Sequence, residues 1–257
     1  MTYFTRSDLL ALASATANST TADTELQRVY DRLFRLHHAL HPRLRKAGIE
    51  LYANVSKQGE VGFSSSSTPF ATELMTLTYT RSHNQSRIIE NIMGRDGSEE
   101  IDTRCHPVIE VRLTQDHIAI ELVLAPEAWH DQQNLAGKLT VDAQRTALYE
   151  LLATLEGNYA LGFWSGAYLD EDMHLTTESL PPEYIFHQWM DTFAAGRDWF
   201  RLGIWYKVED DAIHSDNIVT ELLNRIRELN RIYNFIAWNS NNDFHRFYQR
   251  NLVKARR

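Results

Sequence analysis

The sequence predicts an α+β fold built on a mostly antiparallel sheet, and three observations carry that expectation. The segment "PVIEVRLTQDHIAIELVLAP" alternates apolar and polar residues on either side of a polar turn, which is the pattern of a β-hairpin at about 108–125. Residues 22–41 and 217–233 instead place apolar side chains at helical spacing. Strand-like and helix-like stretches also follow one another without the regular alternation that a parallel sheet requires.

Taken in order, Leu26, Val29, Tyr30, Leu33, Phe34, Leu36 and Leu40 form one apolar face, and Pro42, which has no amide N–H, ends or bends that helix. "IELYANV" and "MTLTYTR" read as strands on either side of a Ser-rich loop, "FSSSSTPF". "QSRIIENIMG" is a short helix closing at Gly94, and "GRDGSEEIDTRCH" is a polar loop. In the hairpin, Ile109, Val111 and Leu113 alternate with Glu110 and Arg112, and Ile118, Ile120, Leu122 and Leu124 alternate with Ala119, Glu121 and Val123. The turn falls near Gln115 and Asp116. A helix follows at about 141–155, then the strand "NYALGFWSG", then the helix "PPEYIFHQWMDTFAAG", whose prolines suit a first turn. "DWFRLGIWYK" is a strand, and Asp216 can cap a last helix striped by Ile218, Val219, Leu222, Leu223, Ile226, Leu229 and Tyr233. No internal repeat is visible, which argues against a solenoid.

With 257 residues, 43% of them hydrophobic, the chain can bury a sizeable core as a single domain, 1–257, or as two intimate halves, 1–128 and 129–257. All six tryptophans lie in the second half. The lone Cys105 excludes an internal disulfide and fits a reducing, cytoplasmic setting. Asp8 precedes the short apolar run at the N-terminus, so no secretion signal is expected, and no apolar run approaches the ~20 residues that span a bilayer.

Net charge is −8, and residues 139–196, with nine acids and one base (Arg145), account for all of it. That balance opposes broad binding to phosphate backbones. Only the tail is basic: Arg246, Arg250, Lys254, Arg256 and Arg257 follow Asp243, interleaved with Phe244, Phe247 and Tyr248. It reads as a helix docked by Phe244 and Phe247, with nucleic-acid contact by stacking and charge as the alternative.

Two constellations suggest a site. In the strand 199–206, Phe200, Leu202, Ile204 and Tyr206 form a core face, while Trp199, Arg201, Gly203 and Trp205 point the other way. Each indole has on the order of 150–250 Å² to bury, at ~25 cal/mol per Å², so that face must be covered. Gly203 leaves a notch between the indoles, and Arg201 could fork to a small anionic ligand or to an acid of the 170–191 region beneath a covering helix. In the hairpin, Glu110 lies opposite Glu121, and two carboxylates so placed repel. Arg112 could bridge them, a divalent metal could neutralise them, or one could keep its proton and serve as acid or base.

Asp102, Glu110 and Arg112 resemble the acid…acid-x-basic order of restriction-type nucleases, over some eleven residues. The resemblance implies a Mg-dependent nuclease with Asp102, Glu110 and Glu121 on the metal. Arginine stands where that pattern has lysine, and guanidinium does not deprotonate. His37 and His41 are one helical turn apart but lack the glutamate of His-Glu-x-x-His, and the clusters Asp170, Glu171, Asp172, His174 and Glu209, Asp210, Asp211, His214 lack the glycine and distal glutamate of a calcium loop. P-loop, dinucleotide-binding and nucleophile-elbow motifs are absent.

The expected function is therefore non-enzymatic binding, through the Trp/Arg-lined surface of the second half, of a protein or a small anionic ligand rather than nucleic acid or membrane. The alternatives are the metal-dependent nuclease and a small-molecule enzyme acting on an anionic ligand at Arg201.

Overall fold

A computed structural model describes residues 3–14, 20–56, 75–92, 94, 103–114, 117–164, 174–207, 209–214 and 217–244. Its strands are β1 (Tyr52–Ser56), β2 (Met75–Thr80), β3 (Val108–Leu113), β4 (His117–Leu124), β5 (Ala160–Trp164), β6 (His174–Thr176) and β7 (Trp199–Lys207). They form one seven-stranded sheet in the order β1-β2-β3-β4-β7-β5-β6, with every neighbouring pair antiparallel. The helices are α1 (Arg6–Ser14), α2 (Thr20–Lys46), α3 (His83–Ile92), α4 (Trp129–Lys138), α5 (Asp142–Ala153), α6 (Glu183–Met190) and α7 (Asn217–Ile236). The expected α+β class and antiparallel sheet are both present.

Period-two alternation sends Leu77, Tyr79, Ile109, Val111, Ile118, Ile120, Leu122, Phe200 and Leu202 into a single core, where they meet Leu33, Leu36 and Leu40 of α2 and Leu222, Ile226 and Leu229 of α7. This cluster runs from Phe4 to Ala237 and draws on both halves of the chain. Much of the second half's aromatic content packs on itself there: the Phe163 ring lies 4.4 Å from Trp189 and 5.5 Å from Phe193, which in turn lies 6.3 Å from Phe200. Among the described residues, no helix is long and apolar enough to cross a membrane.

Several boundaries differ from the sequence reading. α2 runs through Pro42 to Lys46, because a helix already held by its apolar face against the sheet tolerates the loss of one backbone bond. α1, α4 and β6 carry little periodicity and were not expected; α4 is instead fixed by polar contacts, with Gln132 Nε2 donating to the carbonyls of Ala125 (2.9 Å) and Asp198 (2.8 Å). The acidic segment's single base, Arg145, donates to Asp191 at 2.6 Å. Asp216, the Gln115–Asp116 turn, and the tail from residue 245 lie outside the described residues.

The tail's first anchor is described. Phe244 is buried with its amide donated to Asn134 Oδ1 at 2.9 Å, and its ring fills the space where a side chain on Gly137 would stand. Phe244→Ala is expected to cost about 3–5 kcal/mol in urea unfolding. Gly137→Ala, which in an ordinary helix would gain roughly 0.5–1 kcal/mol, should also destabilise, and the two losses should not add because both evict one ring.

Candidate functional site

The two constellations proposed from sequence are a single cluster. β3 and β4 pair with Glu110 opposite Glu121, as the hairpin pattern predicts, and β4 pairs with β7 so that Glu121 lies opposite Gly203 and Val123 opposite Arg201. The face of the sheet turned away from the main core thus gathers two carboxylates and two guanidiniums. Glu110 and Glu121 are 0% exposed, Arg201 2% and Arg112 7%.

Glu121 is the hub. Arg112 donates to its Oε2 from Nε at 3.0 Å and from Nη2 at 2.6 Å, and Arg201 Nη2 donates to the same oxygen at 3.1 Å. Glu110 stands further off, 3.5 Å from Arg112 Nε and 3.8 Å from Arg201 Nη2, and among the described residues neither of its oxygens accepts a hydrogen bond. Burial alone would raise both pKa values. For Glu110 burial prevails, with the nearby Glu121 adding to it against the two arginines, and the carboxyl is pushed up to about 7. For Glu121 burial is outweighed by Arg112 and Arg201, which hold it below the usual carboxylate range. The carboxylate repulsion is therefore relieved in two of the three expected ways at once, by the arginine bridge and by a raised pKa.

The notch at Gly203 is filled from inside the sheet. A Cβ there would lie 2.5 Å from Glu121 Cγ and 2.9 Å from the Ile120 carbonyl oxygen, so the absence of a side chain makes room for Glu121 rather than for a helix. Arg201 likewise pairs with Glu121, because antiparallel pairing of β4 with β7 sets it one step from the hub. Trp199 packs on Val108 and Val123 and is half-buried, as is Trp205, so neither indole stands bare. Thr76, Thr78 and Thr80 of β2 extend the same buried polar face.

The other candidates gather into no metal-binding group among the described residues. Asp102, Asp170, Glu171 and Asp172 lie outside the described residues, and among those described no group of three or more His, Cys, Asp or Glu could hold a metal. The rings of His37 and His41 lie 5.2 Å apart, and burial, followed by the charges of His41 and His38, lowers the His37 pKa. Asp210 accepts the Lys207 amide at 2.8 Å and so caps a turn, and Glu209, Asp211 and His214 are exposed.

Sequence reasoning missed a second feature, a cleft of about 410 Å³ between the segment following α2, the start of α3, and the end of α7. At its base the buried Arg81 donates to Asp131 Oδ1 at 2.5 Å and to the Trp238 carbonyl at 3.0 Å, and Asp131 also accepts the Trp238 amide at 2.6 Å. Gln85 of α3 and Asn230 and Asn234 of α7 line its walls, and among the described residues their side-chain amides make no hydrogen bond. The one available signal was Asn230 and Asn234, poor helix formers placed one turn apart on a long helix.

The chain matches no protein-family model and no curated protein.

Removing the hub should be severe: Glu121→Gln strands two buried guanidiniums and is expected to cost about 3–5 kcal/mol by chemical denaturation. Glu110 should show in the pH dependence of stability. Unfolded, it ionises near 4.5, and folded near 7, so across that window the native chain keeps a proton the unfolded chain has lost and stability falls as pH rises. Glu121 acts in the opposite sense, its contribution present above the ordinary 4.5 and lost as pH falls through its lowered folded value. Glu110→Gln is expected to flatten the decline between about pH 4.5 and 7 in a series of urea midpoints; parallel curves for variant and parent would contradict the assignment.

Proposed function

We propose that this is a non-enzymatic binding protein that takes a small polar organic molecule into the cleft at Arg81 and Trp238. The observation that carries the reading is the set of three unspent amides, Gln85, Asn230 and Asn234, converging on a cavity whose volume suits a small-molecule site. A pocket with a few placed polar groups on an apolar floor recognises by hydrogen bonding, and here Ile49 and Ile89 supply the floor. The Trp199, Arg201, Gly203 and Trp205 face serves the reading as scaffold, since Arg201 is engaged with Glu121 and the notch is filled. A reducing, cytoplasmic setting accords with Cys105, the chain's one cysteine, which is buried.

One observation favours a second, catalytic reading. Opposed carboxyls whose pKa values are driven apart can serve acid–base chemistry, and Glu110, raised to about 7, would act as general acid or base toward a substrate that reached this buried face. The two arginines supply the positive charge that a metal would bring in the nuclease alternative, so this reading needs no Mg at Glu110 and Glu121.

A thermal-shift screen of small metabolites separates the two. A true cleft ligand at about 100 times its Kd adds ~2.7 kcal/mol and should raise Tm by roughly 5–10 °C. Asn230→Leu should abolish that rise while leaving the free protein's Tm near the parent value. Turnover of a nuclease, phosphatase or esterase substrate that disappears in Glu110→Gln would instead establish the catalytic reading.

A further inference from the structure

We infer that the cleft selects a neutral planar heterocycle with a lactam or amidine edge, a nucleobase or nucleoside, and discriminates against the corresponding nucleotide. The inference rests on the small-ligand reading above and follows from which hydrogen bonds and charges the cleft has left to offer. A primary amide sets a donor beside an acceptor, the pairing that the edge of a base presents in complement, which is why Asn and Gln read adenine in two-point fashion. The cleft carries three such amides without partners among the described residues: Asn230 and Asn234, a turn apart on α7, and Gln85 across from them on α3. Tyr233, on the same face of α7, is buried beneath the cleft, and burial pushes its phenol up to about 12, so it adds no charge there.

The rest of the lining suits a flat ring. Ile49 and Ile89 are buried, Ile88 is 56% exposed, and Trp238, a half-buried lining residue, sets its indole 5.5 Å from the His130 ring. Stacking of a base on an aromatic side chain is worth about 1–3 kcal/mol whichever base it is, so the indole supplies affinity and the amides choose among bases.

Charge sets the discrimination. Arg81 is the only cation among the described lining residues, and its charge is matched by Asp131 at 2.5 Å while a second donor is held by the Trp238 carbonyl at 3.0 Å. Glu50 adds an exposed carboxylate with no ion pair among the described residues. Counted with Asp131, which neutralises Arg81 from behind the lining, the site carries one net negative charge, that of Glu50, and a phosphate brought to it would lose water and meet a like charge. This departs from the anionic ligand that Arg201 suggested in the sequence.

The test is calorimetric titration of the intact protein with adenosine, guanosine, cytidine and uridine, with their 5′-monophosphates, and with a control set of sugars and dicarboxylic acids. At least one nucleoside should bind, its monophosphate should bind at least about tenfold more weakly, and Glu50→Gln should narrow that gap. Asn234→Leu, an exposed position, should remove nucleoside binding without lowering the Tm of the free protein. If a monophosphate bound as well as its nucleoside, or only sugars or acids bound, the nucleobase assignment would be overturned while the small-ligand reading stood. If no member of any class bound, both would fall.

Discussion

A carboxylate kept ionised in the middle of a β-sheet is the constraint around which this molecule is arranged. Glu121 is inaccessible to water, and an ion of that size removed from solvent without compensation carries a penalty of several kcal/mol. It is retained because the antiparallel register brings Arg112 across from β3 and Arg201 across from β7 onto the same oxygen, and because Gly203 leaves the space its side chain occupies. The three conditions depend on one another. A larger residue at 203 would displace the carboxylate, and a slip of one residue in β7 would turn Arg201 toward the main core.

Such clusters are weak devices for stability, since well-packed apolar residues do as well or better, but they penalise any other register heavily. Here the cluster ties the hairpin from the first half of the chain to a strand from the second, some seventy residues further on. The residual asymmetry follows from the same geometry. One carboxyl has all the close guanidinium contacts and stays charged, leaving its neighbour across the hairpin, with no hydrogen bond, as a group that gains or loses a proton near neutral pH.

The cleft is organised by a different buried pair. Asp131 of α4 accepts from Arg81, at the end of β2, and from the backbone at Trp238, just past α7, so three elements distant in sequence converge on one carboxylate. With Arg81 and Asp131 paired to each other, what remains toward the cavity is amide-rich, with Glu50 as a carboxylate at its edge. The molecule thus uses buried charge pairs to lock elements together and lines its cavity largely with uncharged hydrogen-bonding groups.

The hairpin, α2, α7 and the strand at 199–207 were legible because a strong period of two or near 3.6 dictates which face is buried whatever lies opposite. The pairing of Glu110 with Glu121 was equally local, since a short turn fixes register. α4, β6 and the continuation of α2 past Pro42 were not legible, as contacts from elsewhere in the chain stabilise them rather than their own patterning. The amino-acid order thus determined the strongly patterned elements and predicted that Trp199, Arg201, Gly203 and Trp205 would have a covered face. That Glu121 fills the notch, and that Arg81, Gln85 and Asn234 enclose one cavity, was decided only by the tertiary structure. Neighbours far apart in sequence are chosen by the packing of the whole chain, and no local period encodes that choice.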